Sequence, residues 1–197
     1  KAINGVADTV LITSGFAVLS PAQAGTQATV DIERSGVPQR VTLTAAEYDL
    51  TPVPTSATLT RSSGAKVGYV ALKDFIVQSE TPLTTRLNAI KADGATELIV
   101  DLRYNRGGHV SELLLEKVAR KRIAWNVTRW GQPGSYPDEA PAGPVVALTN
   151  EHAGSDGDIF SHAFKLMGIG TLVGQRTWGG VIGIWPRHKL IDGTETT

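Results

Sequence analysis

Residues 96–121 read TELIVDLRYNRGGHVSELLLEKVARK. The apolar run Leu98–Val100 is short and ends in polar residues at Asp101, the pattern of a parallel strand buried on both faces. Past the pair Gly107-Gly108, Val110, Leu114 and Val118 recur at helical spacing, so a helix with one inward stripe follows. Strand, glycine turn and helix make half of a βαβ unit. The flanking sequence repeats it. Upstream, KVGYVALKDF reads as a strand, and TPLTTRLNAIKADG as a helix capped by Thr81, with Pro82 at its first position, a Leu83/Leu87/Ile90 stripe and Gly94 as its stop. Downstream, PVVALTN repeats the buried-strand pattern, DGDIFSHAFKLMG gives a third helix and GTLVGQRT a further strand. The alternation predicts an α/β domain with a mostly parallel sheet and ligands at the carboxyl ends of its strands.

Before Pro54 the character changes. ATVDIERSG and QRVTLTA alternate as a hairpin, with Val30 and Ile32 on one face of the first strand and Val41 and Leu43 on one face of the second. Arg34 to Arg40 is expected as the polar connection, and SPAQAGTQ as the tail of a short helix. TPVPTS, Thr51–Ser56, has linker composition and sets the expected boundary: a β-rich module over 1–54 and an α/β domain over 55–197. No internal repeat is found.

The chain has 197 residues, with 19 basic and 19 acidic side chains and a formal net charge of zero. No whole-chain field argues for nucleic acid or an anionic membrane. No apolar run suits a membrane span, and KAINGVADTV lacks the pattern of a signal peptide. A first residue of Lys1 suits a fragment. With no cysteine there is no thiol nucleophile, disulfide or cysteine-bound metal, and nothing assigns a compartment.

Three segments can carry chemistry. In VVALTNEHAGSDGD a buried strand runs through small residues into a helix, and Ala153-Gly154-Ser155-Asp156-Gly157 is a near variant of the nucleophile elbow, with alanine at the first glycine. A sharp turn there exposes the Ser155 hydroxyl, and the helix behind it offers free N–H groups to a developing oxyanion. Ser155 with Asp158 equally fits a Ser-x-x-Asp helix cap. A metal site from His152, Asp156 and Asp158 lacks the ligand spacing of calcium or zinc loops, and no metal or other cofactor is expected. In DLRYNRGGHVS the Gly107-Gly108 pair lets backbone N–H groups approach a ligand oxygen, or is simply a tight βα turn; nucleotide-binding glycine patterns are absent. In GQRTWGGVIGIWPRH the glycines suit a backbone passing close to something, with Trp178 and Trp185 as walls or core. The proline-rich Thr128–Pro144 reads as a loop.

In this order, DLRYNRGGHVSE, ALTNEHAGSDGDIFSHAFK and LVGQRTWGGVIGI closely resemble the catalytic core of tricorn-like serine proteases, relatives of the C-terminal processing proteases, from about Gly68 onward. The preceding module resembles the carboxyl-side part of a PDZ domain, with KAING as one of its strands. The resemblance implies a ClpP/crotonase-like α/β fold and a serine endopeptidase acting on peptides or proteins through an acyl-enzyme on Ser155. It implies an oxyanion hole from Asp156 and the Gly107-Gly108 turn, and an Asp156 carboxylate facing the first substrate pocket and favouring basic side chains. The serine-lysine relatives carry their base lysine where this chain has Gly179 and Gly180, and neither Lys165 nor Lys189 fits that role. Tricorn-type enzymes take a Ser-His pair from before the PDZ domain and a glutamate from beyond the present segment. The pattern gives the base role to neither His109 nor His152, and His162 and His188 are expected to be structural or exposed. The segment alone is therefore expected to have little or no peptidase activity. The resemblance also implies a homo-oligomer in the full-length protein and leans to the cytoplasm, leaving the periplasm open. Two other readings stand beside it: a PDZ-like peptide-binding module with a degenerate protease domain, and a crotonase-like acyl-thioester enzyme.

Overall fold

The computed structural model describes residues 2–3, 6–7, 23–138, 140–181, 183, 188–193 and 195–196. The chain divides into two compact units, Lys1–Leu50 and Thr51–Thr197. In the first, β1 (Ala2–Ile3), β2 (Val6–Ala7), β3 (Gln27–Arg34) and β4 (Val37–Thr44) form an antiparallel sheet in the order β2-β1-β3-β4. Val30 faces Val41 across the β3–β4 hairpin. Its connection is only Ser35-Gly36, at φ +52° and +78°. Two successive left-handed residues reverse the chain at once, which is why strand pairing reaches Val37, well inside the connection expected over 34–40. Of the expected helix tail, Gln23–Thr26 is a turn, and Ser20–Ala22 lie outside the described residues.

The second unit is a five-stranded sheet in the order β11-β10-β7-β6-β5. Four strands are parallel: β6 (Lys66–Ala71), β7 (Glu97–Asp101), β10 (Val145–Thr149) and β11 (Gly170–Gly174). The edge strand β5 (Ser56–Thr60) is antiparallel and was not evident in the sequence. Between the parallel strands lie α1 (Glu80–Ala92), α2 (Ser111–Ala119) and α3 (Asp156–Leu166). Each parallel strand sits beside the one before it, so right-handed crossovers bring all three helices to one face. Against that face pack Val70, Val100 and Ala147 from the strands and Leu83, Leu114 and Phe164 from the helices, all fully buried. Phe160 stacks on Phe75 at 5.1 Å between ring centres.

Several expected boundaries move. The chain enters α1 through a 3-10 turn at Val77–Ser79, so Ser79 precedes the helix and not Thr81. The Ser79 hydroxyl is spent on Asp74 and Ile76, and Pro82 sits third in the first turn, where a missing N–H costs nothing. The proline-rich loop contributes β9 (Gly134–Tyr136), paired with β8 (Ala124–Asn126). The presumed linker belongs to the second unit: Val53 is 1% exposed in its core, and the Pro52 carbonyl accepts the Lys73 amide.

Candidate active site

Strand order in the parallel sheet never reverses, so there is no switch-point crevice to hold a ligand. The carboxyl ends of the adjacent strands β7 and β10 instead run into two turns that touch each other. After β10 the chain passes Asn150–Gly154 and reaches Ser155 at φ +56°, ψ −120°. Positive φ is costly for a residue with a Cβ, on the order of 1–3 kcal/mol, and persists only when the surroundings impose it. Ser155 precedes α3, yet its side chain makes no capping hydrogen bond. The first turn is closed by the backbone, with the Ser155 carbonyl accepting from Asp158 and Ile159. The expected Ser-x-x-Asp cap does not form: Asp158 Oδ1 accepts the Gly179 amide at 2.8 Å, and Oδ2 is buried without a partner among the described residues.

The small neighbours of Ser155 are required sterically. A Cβ on Gly154 would lie 2.9 Å from the Trp178 ring, and one on Gly157 2.8 Å from Asn105 Oδ1. The turn after β7 approaches from the other side. Gly107, at φ +90°, would place a Cβ 2.6 Å from Ser155 Cβ and 3.1 Å from the Asp156 nitrogen, so only hydrogen fits. Gly108 is pinned against Phe75, whose carbonyl accepts the His109 amide and whose amide donates to the Gly107 carbonyl.

Asn105, fully buried, ties the turns together. Its Oδ1 accepts the Gly107 amide at 2.8 Å, its Nδ2 donates to the Leu72 carbonyl, and its own carbonyl accepts the Gly154 amide at 3.0 Å. The Gly107 N–H is thus spoken for. The amides of Gly108 and Asp156 have no partner among the described residues, one in the turn that packs on the half-buried serine and the other on the residue that follows it. The N-terminal end of α3 adds positive potential at the Asp156 amide.

The Asp156 carboxylate faces the start of α2. It is 6% exposed, and its oxygens accept the Ser111 amide at 2.8 Å and the Ser111 hydroxyl at 2.5 Å. The first residue of α2 is thereby capped by the first residue of α3, a favourable place for an anion. The side chain for which the resemblance implies a substrate contact is bonded here to Ser111.

Asn105, Arg106, Glu151, His152, Gly154, Ser155 and Trp178 line an open cleft of about 290 Å³. Trp178 is a wall and not core: it is 65% exposed, and its amide donates to the Ala153 carbonyl. Trp185 lies outside the described residues. A Cβ on Gly180 would meet the Trp178 ring at 2.2 Å, so a side chain at that position would displace the indole. Arg106 is forked onto Asp74. His152 stacks on Tyr104 and sits 3.6 Å from Glu151. His109, His162, His188, Lys165 and Lys189 are exposed, and among the described residues no histidine or lysine is hydrogen-bonded to Ser155. No group of three metal-ligating side chains occurs among the described residues either.

The profile of Peptidase family S41 matches residues 66–197, which carry both turns and the elbow. This chain belongs to peptidase family S41. Within that serine-peptidase family it is a tricorn homologue: it is 55% identical over 137 residues to the tricorn protease of Thermoplasma acidophilum, covering 70% of this chain and 12% of that protein. The crystal structure of the tricorn protease superposes on 98% of this chain and 19% of that one, with a TM-score of 0.54 and 35% identity. The photosystem II D1 C-terminal processing protease shares the fold over 98% of this chain and 54% of its own, with a TM-score of 0.62 and 21% identity. The S41 chain here thus spans about an eighth of the curated tricorn protein's length. The sequence singles out Ser155 and the Gly107-Gly108 turn, but neither the bonds of Asn105 nor those of Ser111. An asparagine two residues before a glycine is the available signal for the first, because its side chain can accept the second amide onward.

Proposed function

We propose that this chain carries the nucleophile and oxyanion hole of a tricorn-like serine endopeptidase. The Ser155 hydroxyl attacks a peptide carbonyl, the carbonyl oxygen takes its charge between the N–H groups of Gly108 and Asp156, and the amine leaves to give an acyl-enzyme that water hydrolyses. The observation that carries this is the positive φ of Ser155 with its side chain making no helix cap, packed against the Gly107-Gly108 turn; the Gly108 and Asp156 amides have no partner among the described residues. That strain also speaks against the acyl-thioester reading, in which the serine has no task.

The base is supplied by residues beyond these 197, and the segment by itself has little activity, since an unassisted hydroxyl is a weak nucleophile. Asp156 contributes its backbone; with its carboxylate on Ser111, it gives no reason for a basic preference at the first pocket. The protein substrate, and assembly into a homo-oligomer, belong to the same reading of the whole protease.

The test uses the protease that contains this chain. A fluorophosphonate should label Ser155, and Ser155→Ala should abolish both labelling and peptide cleavage. Full cleavage by Ser155→Ala would end the proposal.

A further inference from the structure

We propose that Asn105 is a positioning residue for the reaction: by taking the Gly107 amide and the Gly154 amide together, it aims the Gly108 N–H at the oxyanion and sets it against Ser155. The inference rests on the function proposed above and adds a residue to its machinery.

The backbone explains why such a residue is needed. The peptide between Gly107 and Gly108 joins two residues at φ +90° and +146°, a region glycine enters freely and leaves as freely. Nothing in the glycines themselves fixes the direction of the Gly108 N–H. Three groups hold them from outside: the Phe75 amide on the Gly107 carbonyl at 2.7 Å, the Phe75 carbonyl on the His109 amide at 2.8 Å, and Asn105 Oδ1 on the Gly107 amide at 2.8 Å. Of these only Asn105 also reaches the elbow, through its carbonyl and the Gly154 amide. Its Nδ2 bond to the Leu72 carbonyl anchors the side chain to the chain leaving β6, so both turns are referred to the sheet.

Asn105 does this with its side-chain polar atoms already bonded within the protein. Its side chain is fully buried, with Oδ1 against Gly107 and Nδ2 against Leu72. A residue placed this way should affect the charged intermediate more than the bound substrate, because only the intermediate depends on the direction of the Gly108 N–H.

Asparagine is the fitting chemistry. The pocket asks for one acceptor and one donor on a short planar group, and a neutral one, since no cation faces it among the bonds described. Aspartate offers the acceptor but lacks the donor while ionised; once protonated it has both. The nearby charged groups are Arg106 with Asp74 on the β6 side, Arg103 with Asp101 at the end of β7, and Asp156 and the Glu151–His152 pair on the elbow side. All are shared by variant and parent, so a ratio of the two cancels their titration.

The experiment measures kcat and KM of the full protease on a fluorogenic peptide, with inhibition by a peptide aldehyde that forms a tetrahedral adduct. Asn105→Ala should lower kcat 10- to 100-fold with KM within about threefold, and weaken the aldehyde by a similar factor. Asn105→Asp should be impaired at neutral pH, with its activity relative to the parent rising at least fivefold as pH is lowered toward 5. If Asn105→Ala fails to fold, Asn105→Asp decides alone. A kcat within threefold of the parent, a loss confined to KM, or an Asn105→Asp ratio that stays flat with pH would overturn the inference. Ser155→Ala is run alongside: if it still cleaves, the functional reading has failed, whereas an inert Ser155→Ala beside a fully active Asn105→Ala sinks only the role of Asn105.

Discussion

Ser155 is held at φ +56° by its backbone partners and by the packing of Gly154 and Gly157, with no bond of its own hydroxyl among the described residues. That separates its chemistry from its strain. Replacement by glycine removes the Cβ that makes this conformation costly, whereas replacement by alanine keeps it. Ser155→Gly should therefore be more stable than Ser155→Ala by about 1 kcal/mol in urea unfolding of this chain, although both lack the nucleophile. Equal midpoints would mean that the elbow relaxes around alanine. Gly107 makes the opposite case, because its missing side chain keeps the space beside Ser155 open. In the full protease, Gly107→Ala should cut kcat at least 100-fold and block fluorophosphonate labelling, as the added methyl meets Ser155 Cβ and the Asp156 nitrogen. Labelling at the parent rate would refute it.

Asp101 closes β7 and steadies the chain where it turns toward Gly107. Burial acts to raise its carboxyl, but hydrogen bonds from Arg103 and Tyr69 outweigh that and hold it below the usual carboxylate range. The folded chain then binds this proton less readily than the unfolded one. The stabilisation is complete above the ordinary carboxylate value of about 4 and fades as pH falls through the lower folded value. Asp101→Asn should cost about 1–2 kcal/mol at pH 7, with half-exposed Arg103 keeping the loss modest, and the gap should narrow below pH 4. Chemical denaturation at pH 7 and pH 3 checks this; a gap that widens in acid would contradict the sign. Elements such as β7 were legible because an apolar run of that length has few other uses, and α2 because Val110, Leu114 and Val118 keep one register. Asp156 was not. Its neighbours in sequence suggest a carboxylate beside the nucleophile, while its bond to Ser111 spans 45 residues and exists only once α2 and α3 lie side by side. Local pattern marks where a turn occurs; it does not say which side chain a second turn will claim.

The whole molecule divides at Leu50, and the site lies entirely in the second unit, between the turns after β7 and β10. The composition of TPVPTS points to a linker over Thr51–Ser56, and two prolines do break regular structure there, but composition cannot distinguish an exposed linker from an extended strap. Val53 decides it. At 1% exposure it joins the same core as Val70 and Leu72, and next to it the Pro52 carbonyl accepts the Lys73 amide. Lys73 in turn leads to Asp74 and Phe75, the residues that hold Arg106 and the Gly107-Gly108 turn. The strap thus supports the back of the proposed oxyanion hole, and losing it should loosen the site as well as the core. Residues 51–197 should fold on their own with two-state unfolding. Residues 55–197, missing Val53 and the Pro52 carbonyl, should be less stable by about 2–3 kcal/mol, the usual cost of one buried valine and a backbone hydrogen bond. Urea unfolding of the two polypeptides measures the difference, and indistinguishable midpoints would return Thr51–Pro54 to the status of a linker.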